Sequence, residues 1–111
     1  MIIAIGDVYV QIPRRAEAEE AMLQAQTHAH EEPGCVSYTF AEVIASPGHF
    51  VVVQRWSDQE ALDAHYSSPA FAEYQQAIAP MLVRESEMQM HAVEAHFRPL
   101  DPSTLSLGHD E

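Results

Sequence analysis

His65 is the side chain whose type and setting in this sequence best fit proton transfer. It follows Ala61 by four residues and Leu62 by three, so a helix over this stretch turns the imidazole toward its apolar side. Imidazole has a pKa near ~6.5 and can take up or release a proton at neutral pH. Two interpretations stay open: a catalytic base, or a core-edge histidine bonded to a backbone carbonyl or to Tyr66.

Aromatic side chains flank His65 in the sequence. Trp56 ends a strongly apolar segment, and Tyr38, Phe71 and Tyr74 come from the segments on either side. Together these rings could line a cavity for a flat aromatic ligand, which predicts substrate contacts at all four positions. The alternative is that they simply fill the core.

Two polar side chains interrupt apolar strands. Asp7 alternates with Ile5 in the first strand, and its carboxylate faces either solvent or a pocket, in which case it would contact substrate. Gln54 alternates with Val52, so it needs a hydrogen-bond partner if it is buried.

The sequence predicts neither a metal site nor a bound cofactor. The chain has seven histidines, but no pair has the i, i+4 helical or i, i+2 strand spacing that converges on a metal. No glycine-rich phosphate loop is present, so a nucleotide cofactor has no visible cradle. The single cysteine, Cys35, excludes an intramolecular disulfide and is typical of a protein of the reducing cytoplasm.

Charge and length narrow the class of protein. Seventeen acidic against five basic side chains give a net charge of −12, which disfavours binding to nucleic acid or to an anionic membrane surface. No apolar run approaches the ~18 residues of a membrane span. We therefore expect one domain of about 97 residues, residues 1–97, followed by an irregular tail, residues 98–111.

Hydrophobic periodicity predicts six elements. Strands are expected over residues 2–12, 35–44, 50–56 and 84–97, with a helix over 14–31 and a second helical segment that starts at Ser57 and restarts at Ser68-Pro69. The order strand, helix, strand, strand, helix, strand (βαββαβ) predicts an α+β fold of the ferredoxin-like, split βαβ type with an antiparallel sheet.

The predicted sheet is apolar on both faces. The segment Phe50–Val53 is apolar throughout, whereas an antiparallel sheet with helices on one face normally has a polar opposite face. No further helix is available to cover the second face. We therefore expect a homodimer in which the sheets of two chains pack face to face.

The residues quoted above also form a family pattern. Glu32-x-Gly34-Cys35-x-x-Tyr38, Phe50 with Trp56 six residues later, and Leu62-x-x-His65-x-x-Ser68-x-x-Phe71 together resemble the antibiotic biosynthesis monooxygenase family over about residues 2–97. The resemblance implies a dimeric α+β barrel, made when two ferredoxin-like sheets pack together. It also implies monooxygenation of quinols or polyketide-like aromatic rings by molecular oxygen without flavin or metal, with His65 and Trp56 at recurring family positions.

The chain departs from the family pattern at two points. Gln54 stands where many members have a glutamate, so a carboxylate base is not expected there. In the heme-degrading branch an asparagine, a tryptophan and a histidine surround the heme. The matching positions of this chain hold Asp7, His65 and Gln75, so the axial histidine is missing.

The resemblance, together with the position of His65, implies a small phenolic, quinol or polyketide-like aromatic substrate that reacts with oxygen, with His65 as the base. A phenol has a pKa near ~10, and a histidine within hydrogen-bond reach can remove its proton at neutral pH. Two alternatives are a heme-binding or heme-degrading relative and a non-catalytic dimer that binds a hydrophobic metabolite.

Overall fold

The computed structural model describes residues 1–94 of the 111-residue chain. The strands are β1 (Ile2–Tyr9), β2 (Cys35–Glu42), β3 (His49–Trp56) and β4 (Glu87–Ala92), and the helices are α1 (Arg15–His30), α2 (Gln59–Tyr66) and α3 (Pro69–Ile78). Short 3₁₀ turns at Ile12–Arg14 and Ala79–Met81 precede α1 and follow α3. The predicted tail, residues 98–111, lies outside the described residues.

The four strands form one antiparallel sheet in the order β2-β3-β1-β4. The β1–β3 pair runs without interruption from Ile2 opposite Trp56 to Tyr9 opposite His49. The β2–β3 register shifts once, between Cys35 and Ser37. The predicted α+β fold of the ferredoxin-like type is confirmed.

The helices cover one face of the sheet, and the core lies between them. One group of buried side chains packs beneath α1 and α3, and it consists of Val8, Val10, Ala18, Met22, Phe50, Ile78 and Met81. A second group packs beneath α2, and it consists of Ile2, Ala29, Tyr38, Val52, Trp56 and Leu62. The fully buried Ala18 and Ala29 allow α1 to approach the sheet closely.

Several element boundaries differ from the sequence-based prediction. The cap of α2 is Asp58, whose carboxylate accepts from the Ala61 amide at 2.9 Å, rather than Ser57. Asp and Ser are equally good caps, so adjacent candidates cannot be separated by type. The first strand ends at Tyr9, β2 ends at Glu42, and β4 begins at Glu87 and ends at Ala92; residues 95–97 of the predicted last strand lie outside the described residues.

The face of the sheet opposite the helices carries exposed apolar side chains. Ile5 and Val53 are direct neighbours across β1 and β3, and each is 39% exposed. Val51 and Ile3 extend this surface, which we call the outer face. No helix within residues 1–94 is long and apolar enough to cross a lipid bilayer.

Candidate functional site

The short helix α2 holds His65 against the sheet. Its N-terminus is fixed by the Asp58 cap, and its inward face consists of Leu62, 1% exposed, and His65, 4% exposed. The predicted inward orientation of the imidazole is therefore observed in the structure.

Glu32 binds the imidazole from the turn that follows α1. Its Oε1 atom lies 2.8 Å from Nδ1 of His65. Because a carboxylate only accepts hydrogen bonds, Nδ1 carries the proton, and Nε2 of the neutral ring is left with a free lone pair. Nε2 is buried and has no hydrogen-bond partner within residues 1–94.

Burial sets the protonation state of His65. Removal of the ring from water lowers the pKa of His65, and the hydrogen bond and charge of Glu32 offset only part of that decrease. The imidazole is therefore neutral at pH 7, with Nε2 as the acceptor. A positioned, unprotonated nitrogen in an apolar setting is the arrangement that a general base requires.

Four aromatic rings surround the imidazole. The distances from the ring centroid of His65 are 4.8 Å to Trp56, 5.0 Å to Phe71, 5.1 Å to Tyr66 and 5.3 Å to Tyr38. Burial raises the pKa of the Tyr38 and Tyr66 hydroxyls, so both stay protonated at neutral pH. Of the four aromatic residues for which the sequence predicts substrate contacts, Tyr38, Trp56 and Phe71 lie beside His65.

A cavity of about 400 Å³, the aromatic cavity, opens between the sheet and α3. Tyr38, Phe71, Tyr74 and Gln54 line it, with apolar side chains such as Ile78 and Leu82. The volume falls in the range of small-molecule sites. His65 and Trp56 do not line this cavity; they lie behind Tyr38 and Phe71.

A second cavity, the acidic groove, opens on the other side of His65. It measures about 410 Å³ and is lined by Glu32, Asp58, Glu60 and His65 among others. Because His65 lines this groove and also contacts two rings of the aromatic cavity, the imidazole lies between the two openings.

Gln54 is the polar side chain at the inner end of the aromatic cavity. It is fully buried, and its Oε1 accepts from Nε1 of Trp56 at 3.0 Å. The amide also lies near the Tyr66 hydroxyl and offsets part of the increase in the pKa of Tyr66. Even so, neither Nε2 of Gln54 nor the Tyr66 oxygen forms a hydrogen bond of acceptable geometry within residues 1–94.

Asp7 lies away from both cavities. Its side chain is on the outer face, where Oδ1 accepts from Nε2 of His49 at 2.8 Å, and His49 stacks on Tyr9 at 4.4 Å. The solvent-facing interpretation matches this position, and Asp7, where the sequence predicts a substrate contact, lines neither cavity. Within residues 1–94 no three histidine, cysteine, aspartate or glutamate side chains are grouped to hold a metal ion.

The sequence patterns did not identify the role of Glu32. It is separated from His65 by 33 positions and belongs to no local motif with it. The available signal was the Pro33-Gly34 turn, which follows α1 and lies against Ser57 and Ala61.

Comparisons with known proteins agree with this fold. Residues 1–77 match the family model described as antibiotic biosynthesis monooxygenase. An uncharacterised protein of Synechocystis, sll1783, is 27% identical over 95 residues, which are 83% of this chain and 63% of that protein. The chain therefore spans less than two thirds of the length of this relative.

Solved structures of similar fold come from several bacteria. A candidate antibiotic biosynthesis monooxygenase from Deinococcus radiodurans superimposes with a TM-score of 0.85 at 19% identity, covering 91% of this chain and all of that one. Another candidate from Caulobacter crescentus superimposes with a TM-score of 0.79 at 24% identity, covering 84% of this chain and 90% of that one. Rv0793 of Mycobacterium tuberculosis superimposes with a TM-score of 0.77 at 24% identity, covering 92% of this chain and 97% of that one.

Proposed function

The chain belongs to the antibiotic biosynthesis monooxygenase family, and we propose that it is a cytoplasmic, cofactor-independent monooxygenase of small phenols, quinols or polyketide-like aromatic compounds. The observation that carries the proposal is the free lone pair on Nε2 of His65, buried beside an aromatic-lined cavity. The monooxygenase names of structural relatives support the reaction class only.

Oxygenation without a cofactor requires the substrate to be the electron donor. Ground-state oxygen is a triplet and reacts slowly with closed-shell molecules, whereas a phenolate gives up an electron far more readily than a phenol. Removal of the phenolic proton by Nε2 of His65 makes this donor. Glu32 then stabilises the imidazolium through Nδ1, as the buried carboxylate of a catalytic triad does.

The reaction balances with oxygen as the sole oxidant. For hydroquinone, one oxygen atom forms a new ring C–O bond and replaces a ring hydrogen, and both hydroxyls become carbonyls. The second oxygen atom leaves as water. The products are hydroxybenzoquinone and one water molecule, and the substrate supplies all four electrons that reduce the oxygen.

The substrate ring occupies the aromatic cavity in this proposal. Tyr38, Phe71 and Tyr74 form its walls and keep water from reactive intermediates. The rings of Tyr38 and Phe71 pack against the imidazole and separate it from the cavity, so the proposal requires them to move apart for the substrate hydroxyl to reach Nε2. Trp56 does not line the cavity; it packs on His65 and holds Gln54.

Oxygen-electrode measurements with a panel of hydroquinones and anthrones test this function. We expect uptake by the native protein, unchanged by a chelator, and loss of uptake in His65→Ala and His65→Gln. The control is His28→Ala, because His28 is exposed on α1. Circular dichroism verifies that the variants fold.

Three outcomes contradict the proposal. One is unchanged uptake in both His65 variants. A second is ligand-induced thermal stabilisation without oxygen consumption by any compound, which identifies a non-catalytic binder. A third is a sharp Soret band with added hemin together with hemin breakdown, which identifies a heme-degrading relative.

We also propose that a second copy of the chain covers the outer face. Ile5, Val53, Val51 and Ile3 form a continuous apolar surface on the sheet, which no element within residues 1–94 covers. A two-fold axis would place the same surface on both partners, as an isologous dimer requires. The Asp7–His49 pair then lies at the margin of the subunit contact.

A further inference from the structure

The amide of Gln54 has a fixed orientation. Its side chain is 0% exposed, and Oε1 is bound by Nε1 of Trp56 at 3.0 Å. An indole nitrogen is only a donor, so the atom that it contacts must be the amide oxygen. The NH₂ group is therefore the end that remains available.

The NH₂ group has no acceptor within residues 1–94 although it is buried. Buried amide donors without a partner are uncommon, because water that solvates them in the unfolded chain is lost without replacement. Gln54 lines the aromatic cavity together with Tyr38 and Phe71, and the Tyr66 hydroxyl near its amide forms no hydrogen bond of acceptable geometry with it. An oxygen atom of a bound ligand can supply the missing acceptor.

We propose that Gln54 donates a hydrogen bond to the ionised oxygen of the aromatic ligand and so determines which ligands bind. The inference rests on the proposed function, because it concerns the same cavity. A carboxamide is neutral and offers donors, so it stabilises a phenolate. A carboxylate at this position would repel the same anion.

The Gln54 donor and the His65 base have complementary roles. Nε2 of His65 accepts the proton of the substrate. Nε2 of Gln54 donates a hydrogen bond that stabilises the negative charge left on the substrate oxygen. The cavity then favours ligands with a phenolate or carbonyl oxygen over ligands of equal size that lack one. In this proposal the cavity lowers the pKa of a bound phenol, and this decrease can be measured without turnover.

Binding of p-nitrophenol tests the proposal, because its phenolate has a visible absorption band. We expect the native protein to lower the apparent pKa of the bound phenol relative to the free compound. In Gln54→Met, which keeps the chain length but has no donor, phenolate affinity should fall about tenfold. The affinity of Gln54→Met for p-nitrotoluene should differ from that of native protein by less than about twofold, because in this compound a methyl group replaces the hydroxyl.

Two further variants separate donation from simple packing. Trp56→Phe keeps the Gln54 donors but releases the amide oxygen, so phenolate affinity should fall less than in Gln54→Met. Gln76→Met changes an exposed residue of α3 that does not line this cavity and should leave both ligands unaffected. Gln54→Glu should weaken phenolate binding further as the pH rises.

The inference is overturned if native protein does not bind p-nitrophenol, if it raises the apparent pKa of the bound phenol, or if Gln54→Met binds the phenolate as tightly as native protein does. Failure of the proposed function appears differently. Phenolate binding that depends on Gln54, without oxygen uptake, leaves the inference intact and refutes only the monooxygenase.

Discussion

Nδ1 of His65 lies 2.8 Å from Oε1 of Glu32, and this contact joins α2 to the turn after α1. It determines which imidazole nitrogen holds the proton, and it leaves the other nitrogen free on the buried side. The carboxylate is partly exposed in the acidic groove, whereas the imidazole is almost fully buried. Glu32 therefore orients His65 from a position outside the aromatic cavity.

Replacement of Glu32 should impair the base without changing the substrate cavity. We expect Glu32→Ala to lower kcat about a hundredfold, since the imidazole loses its orientation and its preferred tautomer. Glu32→Gln keeps a hydrogen-bond acceptor, so its kcat should fall less. Steady-state oxygen uptake measures both, with the exposed Glu31→Ala as the control. Equal kcat in native protein and Glu32→Ala would contradict an orienting role.

The pH dependence of Glu32→Gln provides a second measurement. Burial lowers the pKa of His65, so the acidic limb of kcat/KM for native protein should lie below pH ~6.5. Glu32 opposes this effect, and its neutralisation should move the limb to still lower pH. A limb that moves to higher pH would contradict the assignment.

Gly34 should be intolerant of any side chain. It has a φ of +83°, and a Cβ there would lie 2.5 Å from Cβ of Ala61 and 2.8 Å from Oγ of Ser57. We expect Gly34→Ala to lower the free energy of unfolding by about 2 kcal/mol from the backbone conformation alone, and to displace Glu32 from His65. Urea denaturation measures the loss. Pro33→Ala, at an exposed position in the same turn, is the control.

A charge on the outer face should separate the proposed dimer. We expect native protein to have the mass of two chains in light scattering coupled to gel filtration, and Val53→Glu to have the mass of one. A buried carboxylate facing its own symmetry mate is strongly disfavoured. Leu23→Glu alters an exposed apolar residue on α1 and should stay dimeric. A monomeric native protein would refute the proposal.

Most of the fold could be predicted from the sequence because it depends on local periodicity. The run of apolar, mostly β-branched residues that begins at Phe50 and the Ser68-Pro69 start signal each specify an element within a few residues. His65 could be placed inward from its spacing to Leu62. Each of these signals can be recognised within a single helix or strand, without reference to the rest of the chain.

The arrangement of the site could not be predicted in the same way. Glu32 meets His65 only because the turn after α1 and the last turn of α2 are adjacent in space. The separation of the two cavities depends on how Tyr38 and Phe71 pack, which no spacing specifies. Asp7 shares a face with Ile5, but the sequence does not identify His49 as its partner.

Acid should weaken the link between α1 and the end of β2. The Arg15 guanidinium and the Gly48 amide lower the pKa of Glu42 to about 2 in the folded state, below its ordinary value of 4.5. The stabilisation is therefore present above pH ~4.5 and is lost as the pH falls toward ~2.

The free energy of unfolding as a function of pH measures this contribution. Glu42→Gln should be less stable than native protein near neutral pH, and the difference should disappear in acid. Glu20→Gln, at an exposed position on α1, serves as the control. A difference that grows in acid would reverse the expected sign.

Long-range ¹H–¹⁵N NMR correlations of the His65 ring test the central claim most directly, because they report the protonation of each nitrogen separately. The account predicts a neutral ring at pH 7 with the proton on Nδ1 and none on Nε2. A proton on Nε2, or a fully charged imidazolium at that pH, would contradict it.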